Sequence, residues 1–233
     1  MIDRDVDPRA ARASLALLGL SLAAFVVVEA VSGVARVHRG ELFPYRHLPV
    51  APLVPEGALY AEWALAIVAA AGLLSGRRVA WFVRAAALVA CFSITQRFTN
   101  GRALVCIALV SLAIDPPTEG RSQAFGLLRA QLLLVYGMSV VHKLLDGFVA
   151  APGVTGLLGV DAAWDRPLGA LTLLLEVATP LALVLAPRVG LALAVVMHAG
   201  FSVALPFVAP FSLASLGLAC LFVRPRDVAT RSV

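Results

Sequence analysis

The sequence predicts an all-α fold, a polytopic transmembrane helical bundle of about eight membrane segments joined by short loops. Hydrophobic residues make up 61% of the 233 residues and charged residues only 14%, and the mean hydropathy is +0.91. Soluble domains are closer to half apolar and one-quarter charged. Because one water-soluble core cannot bury this apolar excess, lipid must solvate much of it. Helices and short turns use up most of the chain, so we expect no separate soluble domain.

The first half of the chain contains four predicted segments after a polar N-terminal tail, residues 1–13. The run 14–35 is too long for the apolar region of a signal peptide, so we expect an uncleaved first helix. After a proline-rich loop, the next segments are 58–74, 79–95 and 103–114. Each of these three ends at a polar turn, Ser-Gly-Arg-Arg, Gln-Arg-Phe-Thr-Asn-Gly-Arg or Asp-Pro-Pro, of the kind that stops a helix.

The second half contains four further predicted segments, at residues 124–144, 168–186, 189–205 and 211–223. Between the first two lies a mixed region, about 146–167, with three aspartates and several glycines. This composition is compatible with a loop, an interfacial helix or a re-entrant segment. We therefore expect residues 14–223 to form a single transmembrane domain, followed by a C-terminal tail at 224–233.

The charges of the loops predict the orientation in the membrane. The net charge of +5 comes from scattered basic residues, without the basic face interleaved with aromatic residues that nucleic-acid binding requires. An even number of spans places both termini on one side, which holds eleven basic residues. The other side holds seven, namely Arg36, Arg39, Arg46, Arg97, Arg102, Lys143 and Arg166. The positive-inside rule then predicts cytoplasmic termini in the plasma (inner) membrane.

The cysteines and histidines predict no metal site. Cys91, Cys106 and Cys220 all lie in apolar stretches, their number is odd, and none forms a CxxC pair,. We expect these thiols to be buried and inert. No second histidine lies at i+3 or i+4 from His198, as a helical zinc site would require.

Ionisable residues inside predicted spans cost several kcal/mol each and need an explanation, and five of them stand out: Glu29, Arg84, Lys143, Glu176 and His198. We expect Arg84 to extend to the cytoplasmic surface and Glu29 to pair near the outer end of the first helix.

Lys143 is the most informative of the five because it is the only lysine in the chain. An amine can lose its proton when it is desolvated, whereas a guanidinium effectively cannot. Tyr136, Ser139 and Lys143 follow at i, i+3 and i+7 and so share one helix face. Two interpretations remain open: a general base in an apolar pocket, or an amine at a helix end that reaches the surface.

Glu176 and His198 lie near the middle of their predicted helices. Pro180 cannot donate a hydrogen bond to the carbonyl of Glu176, which predicts a free acceptor and a kink beside the acid. Glu176 is either a neutral acid hydrogen-bonded to a neighbouring helix or a catalytic group. His198 is either a structural hydrogen-bonding residue or part of a site.

Three stretches occur in an order and spacing that suggest a family. They lie at residues 73–77 with 98–104, at 129–131 with 135–136 and 142–148, and at 173–176 with 188–190, 197–198 and 211–212. They include Leu-Leu-Ser-Gly-Arg, Phe-Thr-Asn-Gly-Arg-Ala-Leu and His-Lys-Leu-Leu-Asp-Gly-Phe. Over about residues 60–223 the chain resembles the membrane domain of vitamin K-dependent γ-glutamyl carboxylase and its bacterial relatives, the HTTM family.

The resemblance implies roles for individual residues. Lys143 matches the lysine that deprotonates a hydroquinone, and Asn100 matches an asparagine near the quinone. Glu176 and His198 match the acidic residue of the sixth helix and the histidine of the seventh, so all four are candidate catalytic residues. Further candidates for substrate binding are Tyr136, Ser139 and His142. The expected cofactor is a reduced quinone of the vitamin K or menaquinone type.

The sequence also departs from the carboxylase pattern. Gly101 stands where the carboxylase has a histidine after the asparagine. We also expect no large domain after the last helix, although the carboxylase has one there that binds the substrate propeptide. The resemblance therefore implies the fold and a lysine-lined pocket that faces lipid, but not carboxylation of glutamate.

Two functions follow from these expectations. The first is a membrane enzyme that uses Lys143 as a general base on a quinol-type, lipid-soluble substrate. The alternative is a non-catalytic accessory protein that helps a membrane or exported partner to mature, insert or leave the cell. Pro180 and Pro206 could also form the broken helices of a transporter, but the two halves show no inverted repeat.

Overall fold

The computed structural model describes residues 6–39, 51–147 and 161–224. Over these ranges the chain is helical and contains no β-strand, which confirms the predicted all-α class. The helices are α1 Pro8–Ser32, α2 Val34–His38, α3 Glu56–Ser75, α4 Val79–Gln96, α5 Asn100–Ile114, α6 Ala124–Leu145, α7 Asp165–Leu185, α8 Pro187–Ala204 and α9 Ala209–Cys220.

Five of the helices, α1, α3, α4, α6 and α7, are long and apolar enough to cross a membrane. Their outer surfaces carry large apolar side chains, among them Val31 and Leu185, which are 81% and 82% exposed. These features fit an integral membrane protein, as the sequence predicts. Helices α5, α8 and α9 are apolar but shorter, so the number of eight spans stays a prediction.

The ends of α1 show how local sequence sets the helix boundaries. The Asp7 carboxylate accepts a hydrogen bond from the backbone N–H of Arg9 at 2.8 Å, and Pro8 occupies the first helical position, which suits a residue without an N–H. Gly33 ends the helix with φ at +77°, a left-handed conformation that glycine adopts without strain. The helix thus begins at Pro8 and not at residue 14, because the cap and not the apolar run determines where it starts.

Backbone hydrogen bonds bring the two ends of the described chain together. The N–H of Val6 donates to Gly120 O and that of Asp7 to Val223 O, each at 2.9 Å. The start of α1, the loop between α5 and α6, and the residues after α9 therefore lie at one end of the bundle, which we call the terminal end. The opposite end, where α1, α4 and α6 finish, is called the distal end.

Helix α9 lies at the centre of the bundle and contacts α1, α5, α6 and α8. Neighbours along the chain also pack together from α3 to α5 and from α6 to α9. Small residues of α9 allow this close packing: a Cβ atom at Gly217 would lie only 3.1 Å from Ser14 O and 3.3 Å from Leu17 Cβ. Small side chains let helix backbones approach where lipid offers no hydrophobic driving force between helices.

Two further predictions can be compared with the structure. Cys106 and Cys220 are buried as predicted, but Cys91 is exposed because it lies on the outward side of α4, where its Sγ is 3.6 Å from that of Cys106. The mixed region 146–167 falls largely on residues 148–160, which lie outside the described residues. Its described end forms a short 3₁₀ turn, Ala162–Trp164, before α7.

We predict that Gly217→Val lowers the stability of the protein by about 1–3 kcal/mol, because the added side chain must separate α1 from α9. The measurement is thermal unfolding of the purified protein in detergent. Gly137→Val is the matched control, since a Cβ atom at Gly137 meets nothing within 4 Å. Equal melting temperatures for the two variants would show that the α1–α9 contact does not limit stability.

Candidate functional site

Lys143 forms an ion pair with Glu176, which joins α6 to α7. The Ser139 hydroxyl lies 3.2 Å from Glu176 Oε2 and donates a hydrogen bond to it. Lys143 Nζ in turn donates to Ser139 Oγ at 3.4 Å. The carboxylate is thus held by two groups of one helix face, which the i, i+3 and i+7 spacing of α6 places together.

A second pair of hydrogen bonds is centred on His198 of α8. Its Nε2 lies 2.9 Å from the Tyr136 hydroxyl, and its Nδ1 lies 3.3 Å from Ser212 Oγ on α9. Both bonds are satisfied by a neutral imidazole, in which one nitrogen donates and the other accepts. The histidine is 1% exposed, so these partners replace the water that it would otherwise bind.

The two groups of bonds form one site, which we call the Lys143 cluster: Tyr136, Ser139, Lys143, Glu176, His198 and Ser212. Tyr136 and Ser139 lie one turn apart on α6. The Phe201 ring joins the groups from the other side, with its centroid 5.6 Å from Lys143 Nζ and 6.0 Å from the His198 ring.

The Lys143 cluster is closed at the histidine and open at the lysine. The side chain of Lys143 is 21% exposed, whereas that of Glu176 is 5% exposed. Exposed apolar side chains, including Leu144 and Leu145, follow Lys143 directly on α6. The amine is therefore partly accessible from outside the helices that the structure describes. The cluster can hold and move protons in surroundings from which water is largely excluded.

The structure brings together five of the seven candidate site residues and leaves Asn100 and His142 apart. Asn100 is the exposed first residue of α5, and His142 is exposed on α6. Within the described ranges, no hydrogen bond links either side chain to the Lys143 cluster. Ser212 is an additional member that was not predicted. The sequence signal was two serines, Ser212 and Ser215, in the apolar helix α9, and it did not indicate which of them joins the site.

Gly101 lies where aromatic side chains fill the space. A Cβ atom there would be 3.3 Å from Phe211 Cβ and 3.3 Å from Phe25 Cζ. The Phe211 ring also packs 6.0 Å from His198. A histidine, as the carboxylase pattern has at this position, would require both phenylalanines to move.

A second buried polar group, the arginine cluster, consists of Glu29, Glu62, Ser93, Arg97 and Arg102. Arg97 pairs with both glutamates, and its Nη2 lies 2.5 Å from Glu62 Oε2. Arg102 pairs with Glu29 and donates to Ser93. The cluster joins α1, α3, α4 and α5, and its two acids balance its two guanidinium groups.

The arginine cluster corrects the interpretation of Arg97 and Arg102 as loop charges on the outer side. Arg97 is only 1% exposed and Arg102 6%, because both acids lie inside the bundle and draw the guanidinium groups inward. If Arg97 and Arg102 are left out of the count, the distal side has five basic residues and the side of the termini has eleven. The positive-inside rule therefore still predicts the same orientation,. Glu29 does find a partner near the end of its helix. Glu62 was not singled out, although it lies inside the predicted span 58–74, where a carboxyl group among apolar residues was the signal that could have found it,.

No metal site is found in the part of the chain that the structure describes: no three His, Cys, Asp or Glu side chains group there as ligands. Comparisons of the chain with protein-family models, with curated proteins and with solved structures found no match. The resemblance to the carboxylase membrane domain and the HTTM family therefore stays a prediction.

We predict that Arg97→Met destabilises the protein by about 3–5 kcal/mol, because it leaves a buried carboxylate without its partner. The measurement is the free energy of unfolding in mixed detergent micelles. The double variant Arg97→Met, Glu62→Met should regain part of this loss, since Glu29 keeps Arg102 as its partner.

Arg39→Met is the matched control for the arginine cluster. Its ion pair with Glu56 is partly exposed, at 38% and 25%, and such pairs contribute less than about 1 kcal/mol. If Arg97→Met and Arg39→Met lost equal stability, burial would not be what makes the arginine cluster important.

Proposed function

We propose that this protein is a membrane enzyme that transfers protons to and from a lipid-soluble, quinol-type substrate at the Lys143 cluster. The observation that carries the proposal is the ion pair of Lys143 and Glu176, in which the lysine side chain is 21% exposed and the Tyr136–His198 pair lies on the buried side.

The protons that Lys143 and Glu176 carry between them determine how Lys143 could act. An ammonium group cannot accept a proton, so Lys143 first passes one to the Glu176 carboxylate, which leaves a neutral amine beside a carboxylic acid. The amine then takes a proton from the hydroxyl of a bound substrate and returns to the ammonium form. Exclusion of water protects the deprotonated substrate from being quenched. The hydroxyl of Ser139 keeps the two groups aligned.

A reduced quinone of the vitamin K or menaquinone type suits the residues of the site. When bound, this quinol would supply an acidic hydroxyl group and would be the molecule that oxygen oxidises. The open edge at Lys143 lies beside the Phe201 ring, which offers a flat apolar surface to an aromatic substrate. The Tyr136–His198 pair lies one helix turn from Ser139 and would close the buried side of the site to water,. In this proposal Asn100 orients a ring oxygen only if α5 shifts towards the cluster.

The alternative is a non-catalytic accessory protein for the maturation or export of a membrane or exported partner. The separation of Asn100 and His142 from the Lys143 cluster favours it. The arginine cluster also shows that this chain uses buried ion pairs to join helices, and the Lys143–Glu176 pair could have the same purpose.

We also propose that the bundle crosses the plasma (inner) membrane eight times with cytoplasmic termini. Each of the eight predicted segments overlaps a helix, and Val6 and Val223 lie at the same end. Helix α9 is shorter than a typical membrane span, but other helices and not lipid surround it. Non-helical residues at its ends can therefore lie within the membrane, because protein groups can satisfy their backbone.

The topology predicts that a fluorescent protein fused after residue 233 is bright in intact cells, whereas alkaline phosphatase fused there is inactive. Phosphatase inserted after Gly147 should be active, because Gly147 is exposed and follows α6, which finishes at the distal end. An active phosphatase at the C terminus would reverse the orientation.

For the enzyme, we expect purified protein in detergent, supplied with chemically reduced menaquinone or vitamin K and oxygen, to form quinone epoxide detectable by mass spectrometry. Lys143→Ala should abolish the product, and Lys143→Arg should not restore it, since a guanidinium cannot become a neutral base. Glu176→Gln should also lower turnover, because Lys143 loses its proton acceptor.

Arg84→Gln is the matched control, since it removes a basic residue from a membrane segment outside the Lys143 cluster. Epoxide formed by Lys143→Arg would show that a fixed positive charge suffices and would exclude the base. No epoxide from folded, monodisperse wild-type protein would favour the accessory function, and partners co-purified from native membranes would then be sought.

A further inference from the structure

Two cysteines of neighbouring helices lie in contact outside both polar clusters. The Sγ atoms of Cys91 on α4 and Cys106 on α5 are 3.6 Å apart. The third cysteine, Cys220, is the last residue of α9 and is buried at the terminal end. The described residues include all three cysteines of the chain, so this contact identifies the two thiols that can react with each other.

The two thiols lie at a similar depth within their helices. Cys91 precedes the end of α4 at Gln96 by five residues, and Cys106 follows the start of α5 at Asn100 by six. These separations correspond to rises of about 7.5 and 9 Å from the distal end. A disulfide requires its two sulfur atoms at about 2.05 Å, so a side-chain rotation or a small movement of α4 against α5 would bring the pair to bonding distance.

One member of the pair is accessible from outside the bundle. Cys91 is exposed, whereas Cys106 is buried. Leu88, on the same face of α4, is 74% exposed, and Ile107, next to Cys106, is 49% exposed. Helix α4 is long and apolar enough to cross a membrane, so its exposed face at this depth meets lipid. A reagent that reaches Cys91 there must dissolve in lipid.

The reaction open to two thiols in contact is their joint oxidation to a disulfide. Two S–H bonds break and one S–S bond forms, which releases two electrons and two protons. A quinone takes up two electrons and two protons at its ring oxygens and becomes a quinol, so the reaction balances without another reactant. Quinones dissolve in lipid, and they can therefore approach a thiol on the outer face of α4.

We infer that Cys91 and Cys106 form a dithiol site that a lipid-soluble quinone oxidises to a disulfide. The site lies on α4 and α5, whereas the Lys143 cluster is built from α6 to α9, so the inference does not depend on the proposed function. The disulfide would close a loop that contains Arg97 and Arg102, and it would fix the α4–α5 turn that carries both arginines of the arginine cluster.

The test counts free thiols in protein that is reconstituted into phosphatidylcholine vesicles and kept without oxygen. Decylubiquinone is the oxidant, because its ring has no free carbon to which a thiol could add. After denaturation, a polyethylene glycol maleimide adds one mass step on a gel for each free cysteine. The chain has three cysteines, so the reduced protein should show three steps and the oxidised protein one. Dithiothreitol should restore three, and one quinol should form for each disulfide.

Single serine variants separate the pair from the third cysteine. Cys91→Ser and Cys106→Ser should each keep both remaining thiols and form no quinol. Cys220→Ser is the matched control and should lose both of its thiols. Lys143→Ala should be oxidised like the wild type, which keeps a failure of this inference distinct from a failure of the proposed function. Size-exclusion profiles that match the wild type establish that the variants are folded.

Three results would overturn the inference. Three free thiols in folded wild-type protein after treatment with decylubiquinone would show an inert pair that only fills space. A disulfide-linked dimer on a non-reducing gel would show that the exposed Cys91 meets another copy of the chain instead of Cys106. Oxidation by ferricyanide, a charged oxidant that stays in water, as fast as by decylubiquinone would show that the thiols meet water and that a quinone is not their specific acceptor.

Discussion

A charged side chain inside a membrane has no water to bind, so it must meet an opposite charge or a hydrogen-bonding group. Glu29, Glu62, Arg97 and Arg102 satisfy one another only when α1, α3 and the turn between α4 and α5 come together at one depth. Hydrophobic contacts alone would allow many arrangements of such helices, because lipid solvates their surfaces equally well. The arginine cluster thus provides much of the specificity of this half of the bundle.

The other half depends on the same constraint but satisfies it differently. Lys143 and Glu176 join α6 to α7, and the hydrogen bonds of His198 join α8 to α6 and α9. The arginine cluster is buried, and its guanidinium groups keep their protons. The Lys143 cluster is partly exposed and contains an amine, a carboxylate, a phenol and an imidazole. These are groups that can exchange protons, and this difference underlies the assignment of function to one cluster and of structure to the other.

The two clusters meet on either side of a layer of aromatic rings. Phe25 lies under Arg102, at 4.6 Å, and Phe211 lies against His198, with Gly101 packed against both. The rings keep the permanent charges of one cluster apart from the exchangeable protons of the other. The small residue at position 101 is therefore part of the packing and not only the loss of a histidine.

Composition and the spacing of apolar runs were enough to predict an all-helical membrane bundle and most of its segments, because the length of a helix that crosses lipid is set by the bilayer. The shared face of Tyr136, Ser139 and Lys143 followed from helical periodicity alone. Which helices approach one another is a property of tertiary packing. Only the structure decided that Lys143 meets Glu176, that Arg97 and Arg102 turn inward to Glu29 and Glu62, and that Asn100 stays apart. Pairing between residues far apart in the chain leaves no local pattern, since each partner only has to reach the same depth.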